Sequence, residues 1–383
     1  MKEVDPAVWD SVLEGESKPL MRSHAFHSAV EESITADSEY WYVLFMNDNK
    51  PVAHASIFSI YSYMDDGISG KPKEIIYKTR KVFPAFLRLK MVMCGTPVAN
   101  CSNTITIADD SCRTDVLAEL DRIVADIAKK VKAHIIIYRD FNEEESDKLA
   151  YLRVLGYNKV NALPATLLDI NYGSFEDFIC SFKANSNNNN SNENMYKNIR
   201  KYTNRFKKEN IEVEICSDFS KHADRMYELY TNVLDRAVSK LEKLTPEFFI
   251  NSNERLPGSV KAILFWKDGA IVAFSLVVQC NKLLTALYLG IDYEWNEKYR
   301  LYFNILYQSI NYGIESKCSL IELGPTCYYP KLRLGAKLGR VYMYTKSRNK
   351  IARRLRKPLL KSMFPLIDYN DIYTAYKNGT SAY

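Results

Sequence analysis

The hydrophobic pattern in the first half of the chain predicts a hairpin followed by alternating strands and helices. Residues 40–63 form two apolar runs separated by a polar turn at 47–50, which is typical of a β-hairpin. A helix with Ser23 as its N-cap precedes this hairpin, and a Tyr-, Lys- and Pro-rich loop follows it. The later segments are predicted as a strand at 88–100, an amphipathic helix at 115–133, a buried strand at 134–140 and a helix that ends at Gly156.

The second half of the chain repeats this order. Residues 261–280 predict a second hairpin with a tight turn at 267–269, and a strand that closes at Asp292 follows. The next segments are predicted as a polar loop at 293–300, a helix at 301–316, a strand at 319–324, a short helix at 328–338 and a strand at 340–347. This weak internal repeat predicts two similar α/β domains, at 1–165 and 166–383.

The composition excludes several classes of protein. With 47% hydrophobic residues in 383, the chain can fill two packed cores, which excludes general disorder. No apolar run approaches the roughly 18–20 residues of a bilayer crossing, and the acidic N-terminus is unlike a secretory signal. We therefore expect a cytoplasmic protein with no membrane span. The eight cysteines form no CxxC pair and the five histidines are scattered, so no metal site is predicted.

Positive charge is concentrated near the C-terminus. Residues 323–367 hold twelve Lys and Arg and no Asp or Glu, so the net charge of +6 divides into an acidic body and a basic tail. A basic amphipathic helix is predicted at 347–361. Such a tail attracts an acidic carrier protein, tRNA or an anionic membrane surface, or is simply a solvated face. An Asn- and Ser-rich tract at 184–194 is predicted to be a loop before a basic helix.

The repeated order of hairpin, strand, helix, strand, helix and strand resembles the GNAT acyltransferase fold. Two copies in one chain resemble the FemAB-like, peptidoglycan-biosynthesis-type branch of that superfamily. The resemblance runs from about residue 20 to 350 and is carried by SHAFHSAVEES, HIIIYRDF, LLDINYGSFEDFICSF, NIRKYTNRFKKENIEVEI and the segment from LYLGIDYEW to PKLRLGA. It implies two tandem GNAT-like domains, each a mixed sheet flanked by helices, the second ending in the basic tail.

The same resemblance implies an N-acyltransferase that forms an amide. The donor would be a CoA or acyl-carrier-protein thioester, and the acceptor an amine of a small molecule or cell-wall precursor. One alternative is an aminoacyl-tRNA-dependent, Fem-type ligase, which also forms an amide. Another is a non-catalytic binding module that keeps the fold and has lost the reaction. The resemblance places the site in the second domain, beside the cleft between the domains.

One departure from the family pattern concerns the donor. GNAT domains that bind acetyl-CoA usually carry a Gln/Arg-x-x-Gly-x-Gly/Ala loop whose backbone N–H groups cradle pyrophosphate at a helix N-terminus. Here the corresponding residues are 296–302, and none is glycine. Side chains would then grip acyl-CoA or acyl-phosphopantetheine, since Lys and Arg neutralise phosphate. The predicted donor-binding residues are Lys298, Tyr299, Arg300 and Arg333.

Four residues are candidates for the chemistry, which requires a route for the amine proton and charge relief for the oxyanion. Asp292 either takes the proton or is an N-cap carboxylate. Glu322 lies in an apolar strand, where it either acts as the base or pairs with a basic neighbour. Tyr328 follows a strand end and would return a proton to the leaving thiolate. Lys331 either stabilises the oxyanion or is an exposed helix lysine.

Overall fold

The computed structural model describes residues 1–13, 19–34, 38–63, 71–98, 102–184, 190–237, 242–348 and 368–379. The chain divides into two compact units. Unit 1 consists of Met1–Leu163, Ala237–Lys243 and Arg340–Asp368, and unit 2 of Pro164–Arg236, Leu244–Gly339 and Tyr369–Tyr383. The predicted tail helix at 347–361 and residues 185–189 of the Asn- and Ser-rich tract lie outside the described residues, apart from 347–348.

Unit 1 is a mixed sheet flanked by helices. Its elements are α1 (Pro6–Asp10), α2 (His24–Ser33), β1 (Glu39–Asn47), β2 (Lys50–Tyr63), α3 (Lys71–Val82), β3 (Arg88–Cys94), β4 (Ile105–Ile107), α4 (Arg113–Lys130), β5 (Ile135–Phe141), α5 (Glu143–Lys148), α6 (Tyr151–Val154) and β6 (Asn158–Asn161). The strand order is β1-β2-β3-β5-β14-β6, where β14 is the late strand Tyr342–Ser347, and β4 pairs with β2. The β3–β5 pair is parallel, and the other pairs are antiparallel.

Most of the predicted elements of this unit are confirmed. Asp48 and Asn49 both have positive φ, as the tight turn of a right-twisted hairpin requires. The Ser23 hydroxyl accepts a hydrogen bond from the Phe26 N–H and so caps α2. Gly156, at φ +89°, follows the end of α6. The predicted loop after the hairpin is wrong in part, because α3 lies within it.

Unit 2 repeats the mixed sheet. Its elements are β7 (Ala165–Asp169), α7 (Phe175–Ala184), α8 (Asn190–Lys208), β8 (Glu212–Cys216), α9 (Ala223–Arg236), α10 (Pro246–Arg255), β9 (Val260–Lys267), β10 (Ala270–Cys280), β11 (Leu283–Ile291), α11 (Tyr293–Tyr299), α12 (Leu301–Glu315), β12 (Leu320–Glu322), α13 (Tyr328–Arg333), β13 (Lys337–Gly339) and α14 (Tyr369–Lys377). The strand order is β13-β7-β12-β11-β10-β9-β8, and the β11–β12 pair is parallel.

The core of unit 2 lies between its sheet and α12. Ile305 and Ile310 of this helix are buried in one cluster with Ile263 of β9 and Ile321 of β12. The predicted hairpin, strands and long helix of this unit are therefore confirmed. The polar loop predicted at 293–300 is wrong, because seven of those residues form α11.

The two halves thus share an α/β architecture of mixed sheets flanked by helices, as predicted. One strand departs from the order of the chain: β14, which follows the elements of the second sheet in sequence, returns to the first sheet and lies between β5 and β6. Among the helices that the structure describes, none combines the length and the apolar character needed to cross a bilayer.

Candidate functional site

The parallel pairing of β11 and β12 ends before β11 does, and we call the stretch of β11 beyond Thr285, which has no strand partner on this side among the described residues, the opening in unit 2. Their register ends where Thr285 faces Glu322, while β11 continues to Ile291. Among the described residues, β12 is the neighbour of β11 on this side of the sheet. A register shift between β10 and β11 falls opposite Leu276 and Val277, close to the point of separation. In open α/β sheets, sites commonly lie at such carboxyl ends.

The junction between α11 and α12 closes one end of this opening. Arg300 joins the two helices in the left-handed conformation, at φ +53° and ψ +46°. Asn304 is fully buried, and its Nδ2 donates to the carbonyl oxygens of Tyr299 and Arg300, both at 3.2 Å. The Asn296 Oδ1 accepts from the Tyr302 N–H at 3.1 Å. The Tyr302 N–H, in the first turn of α12, is therefore already hydrogen-bonded to a side chain of the protein.

A first cavity of about 200 Å³ lies at this junction. It is lined by Ile291, Tyr293, Asn296, Arg300, Tyr302 and Phe303. Burial raises the pKa of Tyr302 well above its ordinary value, and its contact with Cys327 acts in the same direction. Tyr302 therefore stays protonated at neutral pH.

The loop after β12 has a strained backbone that a buried lysine holds in place. Gly324, Thr326 and Cys327 all have positive φ, which is unfavourable for the last two. The Lys331 Nζ donates to the carbonyl oxygens of Gly324, Pro325 and Thr326 at 3.0, 3.2 and 2.9 Å. Lys331 is 5% exposed, so the alternative of an exposed helix lysine is wrong. Its ammonium group stabilises the loop.

The other three predicted catalytic residues lie at different points around the opening. Asp292 accepts from the Glu294 N–H at 3.1 Å, which confirms its alternative role as an N-cap, and it pairs with Arg225 at 3.1 Å. Tyr328 is 1% exposed and donates to the Pro164 carbonyl oxygen at 3.2 Å. Glu322 is 7% exposed and is the last residue of β12 before the strands separate. The catalytic roles of all four remain predictions.

The predicted donor-binding residues are not in one place. Arg300 is exposed and lines the first cavity, whereas Arg333 is half-buried at a second cavity on the other side of Phe303. Lys298 is exposed, with its ammonium group 4.8 Å from the ring centre of Tyr299. Tyr299 is 1% exposed and belongs to the core. Sequence reasoning missed the roles of Asn296 and Asn304, although Asn296 stands where the family loop begins.

Comparison with known proteins identifies the family. The family model FemAB-like, described as peptidoglycan biosynthesis/recognition, matches residues 1–335, and this chain belongs to that family. FemX superposes with a TM-score of 0.57 at 12% identity, over 92% of this chain and 98% of that one. L-PGS from Bacillus licheniformis superposes with a TM-score of 0.51 at 11% identity, over 94% and 96% of the two chains. At such identities these structures show the fold alone, which is two α/β units, each a mixed sheet flanked by helices.

A Mycobacterium tuberculosis (strain H37Rv) protein with the provisional name 8-amino-7-oxononanoate synthase 2 is 26% identical over 326 residues. The match covers 82% of this chain and 40% of that protein, so this chain spans well under half the length of the curated relative. The family description supports a role in peptidoglycan biosynthesis or recognition.

Proposed function

We propose that this protein is an N-acyltransferase that transfers an acyl group from a CoA or acyl-carrier-protein thioester to an amine of a small molecule or cell-wall precursor. The observation that carries the proposal is the opening between β11 and β12. A phosphopantetheine arm is extended and contains amide groups, so it can add to an open strand edge as a peptide does. Beyond Thr285, β11 has no strand partner on this side among the described residues, and it ends at Ile291 in the wall of the first cavity, where the exposed Arg300 can contact a phosphate.

The geometry at α12 favours a donor on a carrier protein over free CoA. The Asn296 side chain already bonds the Tyr302 N–H, and the buried Tyr299 stands where the family loop has glycine. Fewer backbone N–H groups are therefore free to bind a pyrophosphate at the N-terminus of α12. A donor with one phosphate, gripped by an arginine, fits this arrangement better than a donor with a pyrophosphate.

The proposed reaction is a direct displacement. The amine nitrogen attacks the thioester carbonyl carbon, the C–S bond breaks, and the thiolate leaves as the amide forms. Glu322 takes the proton that the amine loses, because it is the last residue of β12, where the pairing with β11 ends, and a carboxylate can act as a general base. Lys331, in this proposal, acts by holding the loop beside that point.

The test is product formation with three donors. The purified chain is mixed with pooled amines and an acyl-CoA, an acylated carrier protein or charged tRNA, and amides are quantified by mass spectrometry. We expect thioester consumption and amide formation, and a decrease in kcat of about 100-fold or more in Glu322→Gln. Glu254→Gln, an exposed residue of α10, is the matched control. Unchanged turnover in a folded Glu322→Gln would disprove the assignment of the base.

A second candidate function is the aminoacyl-tRNA-dependent ligase. It is favoured by α8, on which Lys197, Lys201, Asn204 and Lys208 recur at helical spacing and are all exposed. Such a stripe can contact a phosphate backbone, as can the predicted basic tail. Amide formation only from charged tRNA, abolished by ribonuclease, would select this function. If no donor gives an amide, both enzymatic functions are excluded, and a non-catalytic binding module remains as the interpretation.

A further inference from the structure

A second cavity in unit 2, of about 230 Å³, has a chemistry that the proposed reaction does not use. Side chains from α8, α12 and α13 surround it. The lining residues are Met195, Asn198, Tyr202, Phe303, Tyr307, Tyr329, Pro330, Arg333 and Leu334. Its volume is below the ~300–1,000 Å³ of pockets for drug-sized molecules, so an occupant would have the size of an amino acid.

Aromatic rings form most of the wall. The rings of Tyr202 and Phe303 have their centres 5.6 Å apart and are tilted by 49°. Met195, Pro330 and Leu334 complete the apolar part of the lining. Such walls favour a flat or apolar molecular body, which contacts ring faces without losing hydrogen bonds.

The polar groups of the cavity are donors. Tyr307 is 1% exposed, and its hydroxyl has no hydrogen-bond partner among the residues that the structure describes. The hydroxyl of the half-buried Tyr202 has none among them either. A hydroxyl that lines a cavity and has no partner in the protein can donate its hydrogen bond to a ligand that enters the cavity.

One basic side chain, Arg333, lies at the wall of the cavity. The Arg333 Nη1 donates to the Tyr329 hydroxyl at 3.1 Å, so the guanidinium stands at the wall. Burial raises the pKa of Tyr307, the neighbouring Tyr202 adds to the rise and Arg333 opposes it, and the phenol remains a neutral donor. None of the described lining residues is acidic. An arginine and neutral hydroxyl donors are the kinds of group that hold a carboxylate by hydrogen bonds.

We propose that this cavity binds a small carboxylic acid with a flat apolar body. The body lies against Tyr202 and Phe303, and the carboxylate accepts hydrogen bonds from the Arg333 guanidinium and the Tyr307 hydroxyl. The site is separate from the opening between β11 and β12, and its occupation requires no acyl donor.

The test is binding to the full chain, without turnover. Isothermal titration and ligand-observed NMR are run with benzoate, phenylacetate and L-phenylalanine, with benzamide as the uncharged match and inorganic phosphate as the alternative anion. At least one aromatic carboxylate should bind with a submillimolar Kd, and benzamide at least about tenfold more weakly. Arg333→Gln should weaken carboxylate binding about tenfold or more, and Tyr307→Phe about fivefold. Arg255→Gln, an exposed residue of α10, should bind as the wild type does.

Three outcomes would overturn the inference. The first is no carboxylate binding up to about 10 mM. The second is binding that is equal for benzoate and benzamide, or stronger for phosphate. The third is wild-type affinity in Tyr307→Phe, which keeps the shape of the ring and therefore decides the matter if Arg333→Gln fails to fold.

Discussion

Two buried histidines in unit 1 make the stability of the protein depend on pH. His27 and His54 are 2% and 0% exposed, and the His54 ring is stacked on Trp9 with centres 4.1 Å apart. Burial lowers the pKa of His27 to about 3 and that of His54 to about 2, and the charge of Arg22 acts in the same direction on His54. Both rings are therefore neutral in the folded protein at neutral pH.

The sign of the pH dependence follows from these directions. In the unfolded chain each histidine binds a proton below about pH 6.5, whereas the folded protein resists protonation down to about pH 3. Stability is thus lost as the pH falls through this range. Between pH 7.5 and 5.5 the free energy of unfolding should decrease by about 3 kcal/mol for the two groups, measured by urea denaturation. His54→Phe should remove about half of this dependence, whereas the exposed His134→Gln should leave it in place.

Lys331 shows how a residue predicted for chemistry can be explained by structure. Its ammonium group is the common donor to three carbonyl oxygens of a strained loop. Lys331→Met leaves those acceptors without this donor, so we expect the free energy of unfolding to fall by about 2–4 kcal/mol. Lys282→Met, at an exposed position in the same unit, should change it by less than about 0.5 kcal/mol. Equal urea midpoints for the two variants would contradict the structural role.

At the scale of elements, α11 is an example of a helix that the hydrophobic pattern does not predict. Its residues lack an apolar stripe, so periodicity indicates a loop. The helix is nevertheless stabilised by the Asp292 cap and by the stacked rings of Trp295 and Tyr299, whose centres are 5.4 Å apart. Elements with a strong period, such as α12 and the two hairpins, were predictable. The bond from Asn296 to the Tyr302 N–H was not, because it depends on the angle between two helices.

Arg300 allows stability and binding to be separated at the junction of α11 and α12. A non-glycine residue in the left-handed conformation destabilises the folded state by about 1–2 kcal/mol. Glycine removes this strain, but it also increases the conformational entropy of the unfolded chain, which offsets part of the gain. Arg300→Gly should therefore raise the free energy of unfolding by about 0.5–1 kcal/mol. It should also raise the KM for the thioester donor about tenfold, because the cation at the first cavity is lost. If Arg300→Gly is more stable but its KM for the donor is unchanged, Arg300 does not contribute to donor binding.

At the scale of the whole molecule, the return of β14 to the first sheet has consequences for truncation. The strand β14 lies between β5 and β6, and β6 pairs with it alone among the described strands. Its apolar pattern fits either sheet, so the sequence cannot tell which sheet it joins, and the predicted division at 165/166 stays a prediction.

This arrangement predicts different behaviour for two shortened chains. A chain that ends at 339 lacks β14, which exposes the edge of β5 and leaves β6 unpaired. Its unit 1 amides should exchange with deuterium far faster than those of a chain that ends at 348, which keeps β14. Equal protection of β5 in the two chains would show that β14 is dispensable for the first sheet.

The position of β14 in the sequence also determines how long the first sheet stays incomplete during translation. The neighbour β5 is complete at Phe141, but β14 begins about 200 residues later, which is roughly 10–40 s of synthesis at ~5–20 residues per second. During that interval the first sheet has an open edge while the second half is being made. Nascent chains of this protein are thus candidates for chaperone binding until translation reaches Ser347. Faster elongation through unit 2 would shorten the period in which this edge can pair with a wrong strand.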